Sequence, residues 1–144
     1  MENIKCYIYT RVSTAMQVEG YSLDAQREAI YKYANAFGYE VVREYTDEGY
    51  SGKNVEGRPQ FRQMLQDIED KKDDVKFVLV FKLSRFGRNA ADVLTTLQTM
   101  QDYGVNLICV KDALDSSQET GKLMITILSG VAEIDRETIR IQTM

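Results

Sequence analysis

Histidine is absent from this chain of 144 residues. That closes the usual route to an activated serine, because the base in serine hydrolases is normally His. Only two cysteines are present, Cys6 and Cys109, each inside an apolar run that predicts a buried strand. With no His beside them a zinc site is not expected; small core hydrophobes in a reducing compartment are. One proline and nine glycines leave little room for linkers or low-complexity segments, and no internal repeat is found. No apolar run approaches the ~20 residues of a membrane-spanning helix, and the N-terminus lacks the apolar core of a signal peptide. The expected location is the cytoplasm, with no membrane partner. Basic residues are the minority, 18 against 22 acidic, for a net charge of -4. That balance argues against a dedicated DNA-binding domain but allows a catalytic domain with a local basic pocket.

What is present is one domain's worth of alternating strand and helix signals. Hydrophobic residues at 44% and charged residues at 28% suit a globular chain with a single core. Ile4 to Thr10 reads as a buried strand. Ser22 is placed to cap a helix whose face carries Leu23, Ile30, Ala34 and Phe37, and Gly38 to stop it. Glu40 to Tyr45 reads as a second strand, and Asp47 to Gly57 as a polar loop. Pro59 opens a helix with the stripe Phe61, Met64, Leu65 and Ile68. Lys76 to Phe81 is a third strand. Asn89 caps a helix lined by Ala90, Val93, Leu94 and Leu97 and ended by Gly104. Val105 to Val110 is a further strand, and a long helix starts near residue 120. The alternation predicts an α/β fold with a mostly parallel central sheet flanked by helices.

In such sheets ligands gather at the carboxyl ends of the strands. Arg11 and Ser13 follow the first strand, Asp47 the second, and Ser84, Arg85 and Arg88 the third. A serine among arginines suits a phosphodiester target: guanidiniums stay charged, bind phosphate oxygens as planar forks and stabilise developing negative charge. Arg85 and Arg88 lie three apart on one helical face, with Gly87 between them. A solvated helix start is the plainer reading of that pair. Asp47 is placed either to orient a guanidinium or handle a proton, or to bond its own turn. Gln26 faces the site or water, and Arg58 either binds phosphate or simply precedes Pro59.

In order, Tyr9-Thr10-Arg11-Val12-Ser13-Thr14, Ser22-Leu23-Asp24-Ala25-Gln26, Thr46-Asp47-Glu48-Gly49-Tyr50-Ser51-Gly52 and Lys82-Leu83-Ser84-Arg85-Phe86-Gly87-Arg88-Asn89 resemble the catalytic domain of the serine recombinases. The resemblance continues through Gly121-Lys122-Leu123 and Thr126-Ile127-Leu128. The Gly20-Tyr21-Ser22 stretch and the Gly49–Gly57 loop look more like the large serine recombinases of phages and mobile elements than the short resolvases and invertases. The resemblance implies a resolvase-like fold over residues 1–144 and site-specific DNA recombination. Ser13 would attack a DNA phosphodiester, forming a 5′-phosphoseryl bond and releasing a 3′-OH, with no cofactor and no metal. Arg11, Arg85 and Arg88 match the arginines that bind phosphate and activate the serine; Gln17, Asp47 and Arg58 match supporting polar positions. Ser84 departs from the short resolvases, which commonly carry Asp there. That shifts attention to the arginines and Asp47 and leaves the proton donor open. A recombinase-like domain kept for dimerisation or DNA regulation is the alternative. A phosphatase-like domain fits less well, because neither cysteine is followed by a phosphate loop.

The last helix carries Leu123, Met124, Ile127, Leu128, Val131, Ile134 and Ile141 as a broad apolar stripe, with Gly130 permitting close approach. One domain core accounts for such a stripe; the resemblance implies instead a helix that builds homo-dimers and homo-tetramers on DNA. No cap or breaker follows Ile141-Gln142-Thr143-Met144. The chain is therefore expected to be the N-terminal part of something longer, its DNA-binding region lying beyond; a natural frayed terminus is the other reading.

Overall fold

Strands that are nearly all apolar need cover on both faces, and the helices between them supply it. The structure, a computed structural model, describes residues 3–13, 22–49, 58–86, 90–119, 121, 123 and 125–127. The order is β1 (Ile4–Ser13), α1 (Leu23–Phe37), β2 (Tyr39–Gly49), α2 (Pro59–Glu69), β3 (Phe77–Val80), α3 (Leu83–Phe86), α4 (Ala90–Asp102), β4 (Asn106–Cys109) and β5 (Leu114–Asp115). The sheet runs β2-β1-β3-β4-β5. Its first four strands are parallel, and β5 is an antiparallel edge on β4. The chain is thus an α/β domain with a mostly parallel sheet, as its alternation predicts. At two residues, β5 is too short to leave a periodic signal.

On one face of the sheet, Ile30 and Ala34 of α1 pack on Cys6, Ile8, Leu79, Phe81 and Ile108. On the other, Phe61, Met64 and Ile68 of α2 and Val93, Leu97 and Met100 of α4 cover Tyr7, Tyr9, Tyr45, Val78, Val80 and Leu107. Each fully buried aliphatic side chain contributes roughly 1.5–3 kcal/mol. Local signals set the helix ends. Ser22 Oγ accepts from Ala25 N–H at 3.1 Å at the start of α1. Gly38 (φ 73) and Gly104 (φ 77) follow α1 and α4 in the left-handed region that only Gly enters without strain.

Several boundaries and faces differ from the sequence reading. β1 runs on to Ser13, and β2 from Tyr39 to Gly49, because the two strands keep pairing in parallel through Arg11↔Asp47 and Ser13↔Gly49. Asp47 is therefore inside a strand rather than in a following loop. Phe37 is 59% exposed at the end of α1, stacked on Tyr33 and Tyr39 rather than inserted in the core. Leu94 is 37% exposed, one position beyond the α4 stripe of Val93, Leu97 and Met100. Beyond β5, residues 125–127 are helical and Ile125 is buried, whereas Leu123 and Ile127 are 59% and 47% exposed. Asn89, the loop of residues 50–57 and the stripe at Met124, Leu128, Gly130, Val131, Ile134 and Ile141 lie outside the described residues.

Candidate active site

The carboxyl ends of the parallel strands β1, β2 and β3 share one edge of the sheet, and the sequence candidates among the described residues lie on elements that meet there. Arg11 is buried two residues from the end of β1. Its carbonyl accepts from Gln26 Nε2 at 3.3 Å, so Gln26 turns from α1 towards the strand end and is fully buried rather than facing water. Ser13 closes β1. Ser84 and Arg85 lie in α3, the single helical turn that follows β3; these three residues are located by backbone alone. Gln17 and Arg88 lie outside the described residues.

Asp47 and Arg58 form the best-defined part of the edge. Arg58 stands just before α2, where it has no side-chain capping bond of its own. The cap comes from β2 instead: Asp47 Oδ1 accepts from Gln60 N–H and Oδ2 from Phe61 N–H, both at 3.0 Å. A carboxylate at a helix N-terminus satisfies donors that have no partner within the helix and opposes the positive end of the dipole. Asp47 thus bonds the backbone of another element, not a turn of its own. Its Oδ2 also accepts from the Tyr9 hydroxyl at 2.9 Å.

Arg58 is 4% exposed. Its Nε donates to the Tyr9 hydroxyl at 3.2 Å and its Nη2 to the Phe86 carbonyl at 2.6 Å. Its guanidinium lies 3.8 Å from the centre of the Phe61 ring, and Nη1 is 3.8 Å from Asp92 Oδ2 in α4. One buried cation therefore joins β1, α2, α3 and α4. At the other end of α3, Leu83 N–H donates to Asp112 Oδ2 at 2.9 Å. The turn that carries Ser84 and Arg85 is held at both ends.

Among the described side chains the arrangement fixes a buried Asp47–Tyr9–Arg58 cluster. Burial pushes the Tyr9 hydroxyl well above the usual tyrosine range, so it stays protonated at neutral pH. The thiols are equally remote from chemistry: Cys6 and Cys109 are buried in β1 and β4, and burial pushes Cys6 up to about 12. Tyr9 was not among the sequence candidates, because it reads as one more aromatic in an apolar strand. The available signal was its hydroxyl, which a buried strand must supply with a partner.

Residues 6–144 match the family described as the resolvase N-terminal domain. The chain belongs to this family. Resolvase-family proteins of known structure share its fold. A resolvase family site-specific recombinase from Streptococcus pneumoniae is 64% identical, with a TM-score of 0.80 over 98% of this chain and 93% of that one. The N-terminal catalytic domain of TP901-1 integrase is 38% identical, with a TM-score of 0.76 over 93% of this chain and 98% of that domain. A resolvase/recombinase of Pseudomonas putida is 33% identical over 92% of this chain. The chain spans 66% of that relative's length. Among the described residues no helix is long and apolar enough to cross a membrane.

Proposed function

We propose that the chain is the N-terminal catalytic domain of a site-specific serine recombinase acting on DNA in the cytoplasm, within a longer protein whose remaining part grips the DNA. The observation that carries this reading is the shared sheet edge: the Arg11–Ser13 end of β1 lies on the same edge as the turn bearing Ser84 and Arg85, which Arg58 and Asp112 hold at its two ends. Membership of the resolvase family supports it.

In this reading Ser13 Oγ attacks a backbone phosphorus. The P–O3′ bond breaks, a 5′-phosphoseryl bond forms, and the proton lost by the serine is balanced by one gained at O3′. Exchange of strands and the reverse attack restore the DNA. Bond energy is kept in the phosphoseryl link, so neither a nucleotide cofactor nor a metal is required. Arg11, Arg85 and Arg88 bind the non-bridging oxygens, whose charge increases in the transition state. Gln17 and Ser84 are supporting groups near the phosphate. Gln26 holds the end of β1, and Asp47 and Arg58 hold the scaffold of the site. Exposed Leu123 and Ile127 favour dimers and tetramers built on the last helix.

The test uses the full-length protein and its DNA site. Wild type should give a covalent protein–DNA adduct with free 3′-OH ends, in EDTA as well as without it. Arg85→Ala and Arg88→Ala should lose cleavage while staying folded. Absence of any adduct from wild type, with site and partners present, would support the regulatory alternative.

A further inference from the structure

We propose that Lys82 and Lys111 form a ledge that grips the DNA backbone beside the reacting serine, on phosphates within about three nucleotides of the scissile one. The identity of the ligand rests on the recombinase reading.

The ledge is built by strand register. β3 and β4 pair in parallel with Val80 opposite Cys109, and the pairing runs on past their ends. Val110 N–H donates to the Val80 carbonyl at 2.9 Å, and Lys111 N–H to the Phe81 carbonyl at 2.8 Å. The same offset sets Lys82 beside Lys111, each two residues beyond its strand. Leu83 N–H then donates to Asp112 Oδ2 at 2.9 Å. The residues before and after Lys82 are thus both bonded to the turn that carries Lys111. Lys82 is half-buried and Lys111 exposed. Lys111 Nζ lies 5.7 Å from the centre of the buried Phe81 ring, which keeps the ammonium by the end of β3.

Charge is uneven along this edge of the sheet. The end of β2 carries Asp47 and Glu48. The connections after β3 and β4, residues 81–86 and 110–113, carry Lys82, Arg85 and Lys111 against one carboxylate, Asp112. That carboxylate is engaged by the α3 backbone. In a chain of net charge -4 this is a local positive excess. A polyanion laid along the edge is therefore drawn from Ser13 towards β4 and not towards β2. β3 and β4 stand one and two strands from β1, so the lysines lie about 5 and about 10 Å along the edge from the strand that ends at Ser13. Phosphates recur about every 3.4 Å of axis on one DNA strand, so these steps cover about one to three nucleotides. A compact charge on a flexible stem suits contacts that hold the backbone without reading bases.

The experiment uses the full-length protein and a duplex from the DNA that flanks the coding sequence, with affinity measured between about 0.05 and 0.2 M salt. Each lysine on a phosphate adds about 0.9 to the slope of log affinity against log salt. Lys82→Gln and Lys111→Gln should each lower that slope by about 0.9, and the double variant by about 1.8. Affinity at about 0.1 M salt should fall roughly five- to tenfold per lysine. Lys111→Arg should keep the wild-type slope. Ethylation of single phosphates within about three nucleotides of the cut should inhibit cleavage by wild type more than by the double variant. Unchanged slopes in both Gln variants overturn the proposal, as does interference confined to the scissile phosphate. Urea midpoints should match wild type; a shifted midpoint with an unchanged slope assigns the lysines to the fold instead. If wild type binds but never cuts while the slopes fall as expected, the recombinase reading falls and the phosphate contacts stand. If wild type cuts and the slopes do not respond, the recombinase reading stands and the ledge falls.

Discussion

Arg58 Nη2 donates to the Phe86 carbonyl at 2.6 Å, so the residue that opens α2 also holds the residue that closes α3. A charge-assisted bond to a buried carbonyl contributes about 1.5–3 kcal/mol. Arg58→Met should therefore lower unfolding free energy by roughly 2–4 kcal/mol, read from urea denaturation. Arg58→Lys should recover only part of this, because an ammonium cannot bond Tyr9 and Phe86 in one plane. Full recovery by Lys would show that charge alone matters at this position.

Asp47 makes a second, separable prediction. It caps α2 from another strand, so Asp47→Ala should cost about 1–3 kcal/mol. The Gln60 and Phe61 amides should lose exchange protection before the rest of α2. Protection unchanged at those two amides would remove the capping role.

Acid stability should depend on Asp73. The hydrogen bond from Tyr7 first, and then that from Arg43, hold its carboxyl below the ordinary value of 3.8, against an opposing contribution from burial. The unfolded state then binds more protons than the folded state between the two values, so stability rises with pH there. The contribution is complete above the ordinary value and is lost as pH falls through the folded one. Thermal unfolding of wild type and Asp73→Asn should differ equally at about pH 7 and pH 5, and converge once the pH has fallen below the folded value. A difference that persists in strong acid would contradict this.

Gly121 lies against β5, where an added Cβ would collide with the Asp115 backbone. Gly121→Ala should therefore destabilise by about 1–3 kcal/mol, as overpacked sites do. The loss should be visible as faster exchange at the Leu107 and Ser116 amides, which bond across this region. A neutral substitution would mean that β5 shifts freely to make room.

Much of this architecture was legible in the sequence because local chemistry and burial agree. Ser22 and Gly38 mark the ends of α1, and the stripe Phe61, Met64 and Ile68 faces inward as its spacing requires. In the sequence Asp47 reads as a loop residue because Thr46-Asp47-Glu48 is polar, whereas it lies within β2. A strand whose ladder is completed by a neighbour and whose side chain caps a remote helix carries no apolar alternation there. Arg58 beside Pro59 looks like an ordinary helix start, and nothing local says that Tyr9 and Phe86 meet it. Period alone turns Phe37 and Leu94 inward, and period cannot tell the centre of a stripe from its margin. Long-range polar pairing is what the sequence withholds, and this site is built from it.

The most direct measurement is the identity of the residue joined to DNA. Full-length wild type is trapped with its site, digested with protease and nuclease, and the nucleotide-bearing peptide sequenced by mass spectrometry. The link should be a phosphoester at Ser13, and Ser13→Ala should bind the DNA yet give no adduct. A phosphoester at any other residue, or an adduct that survives in Ser13→Ala, would contradict the account.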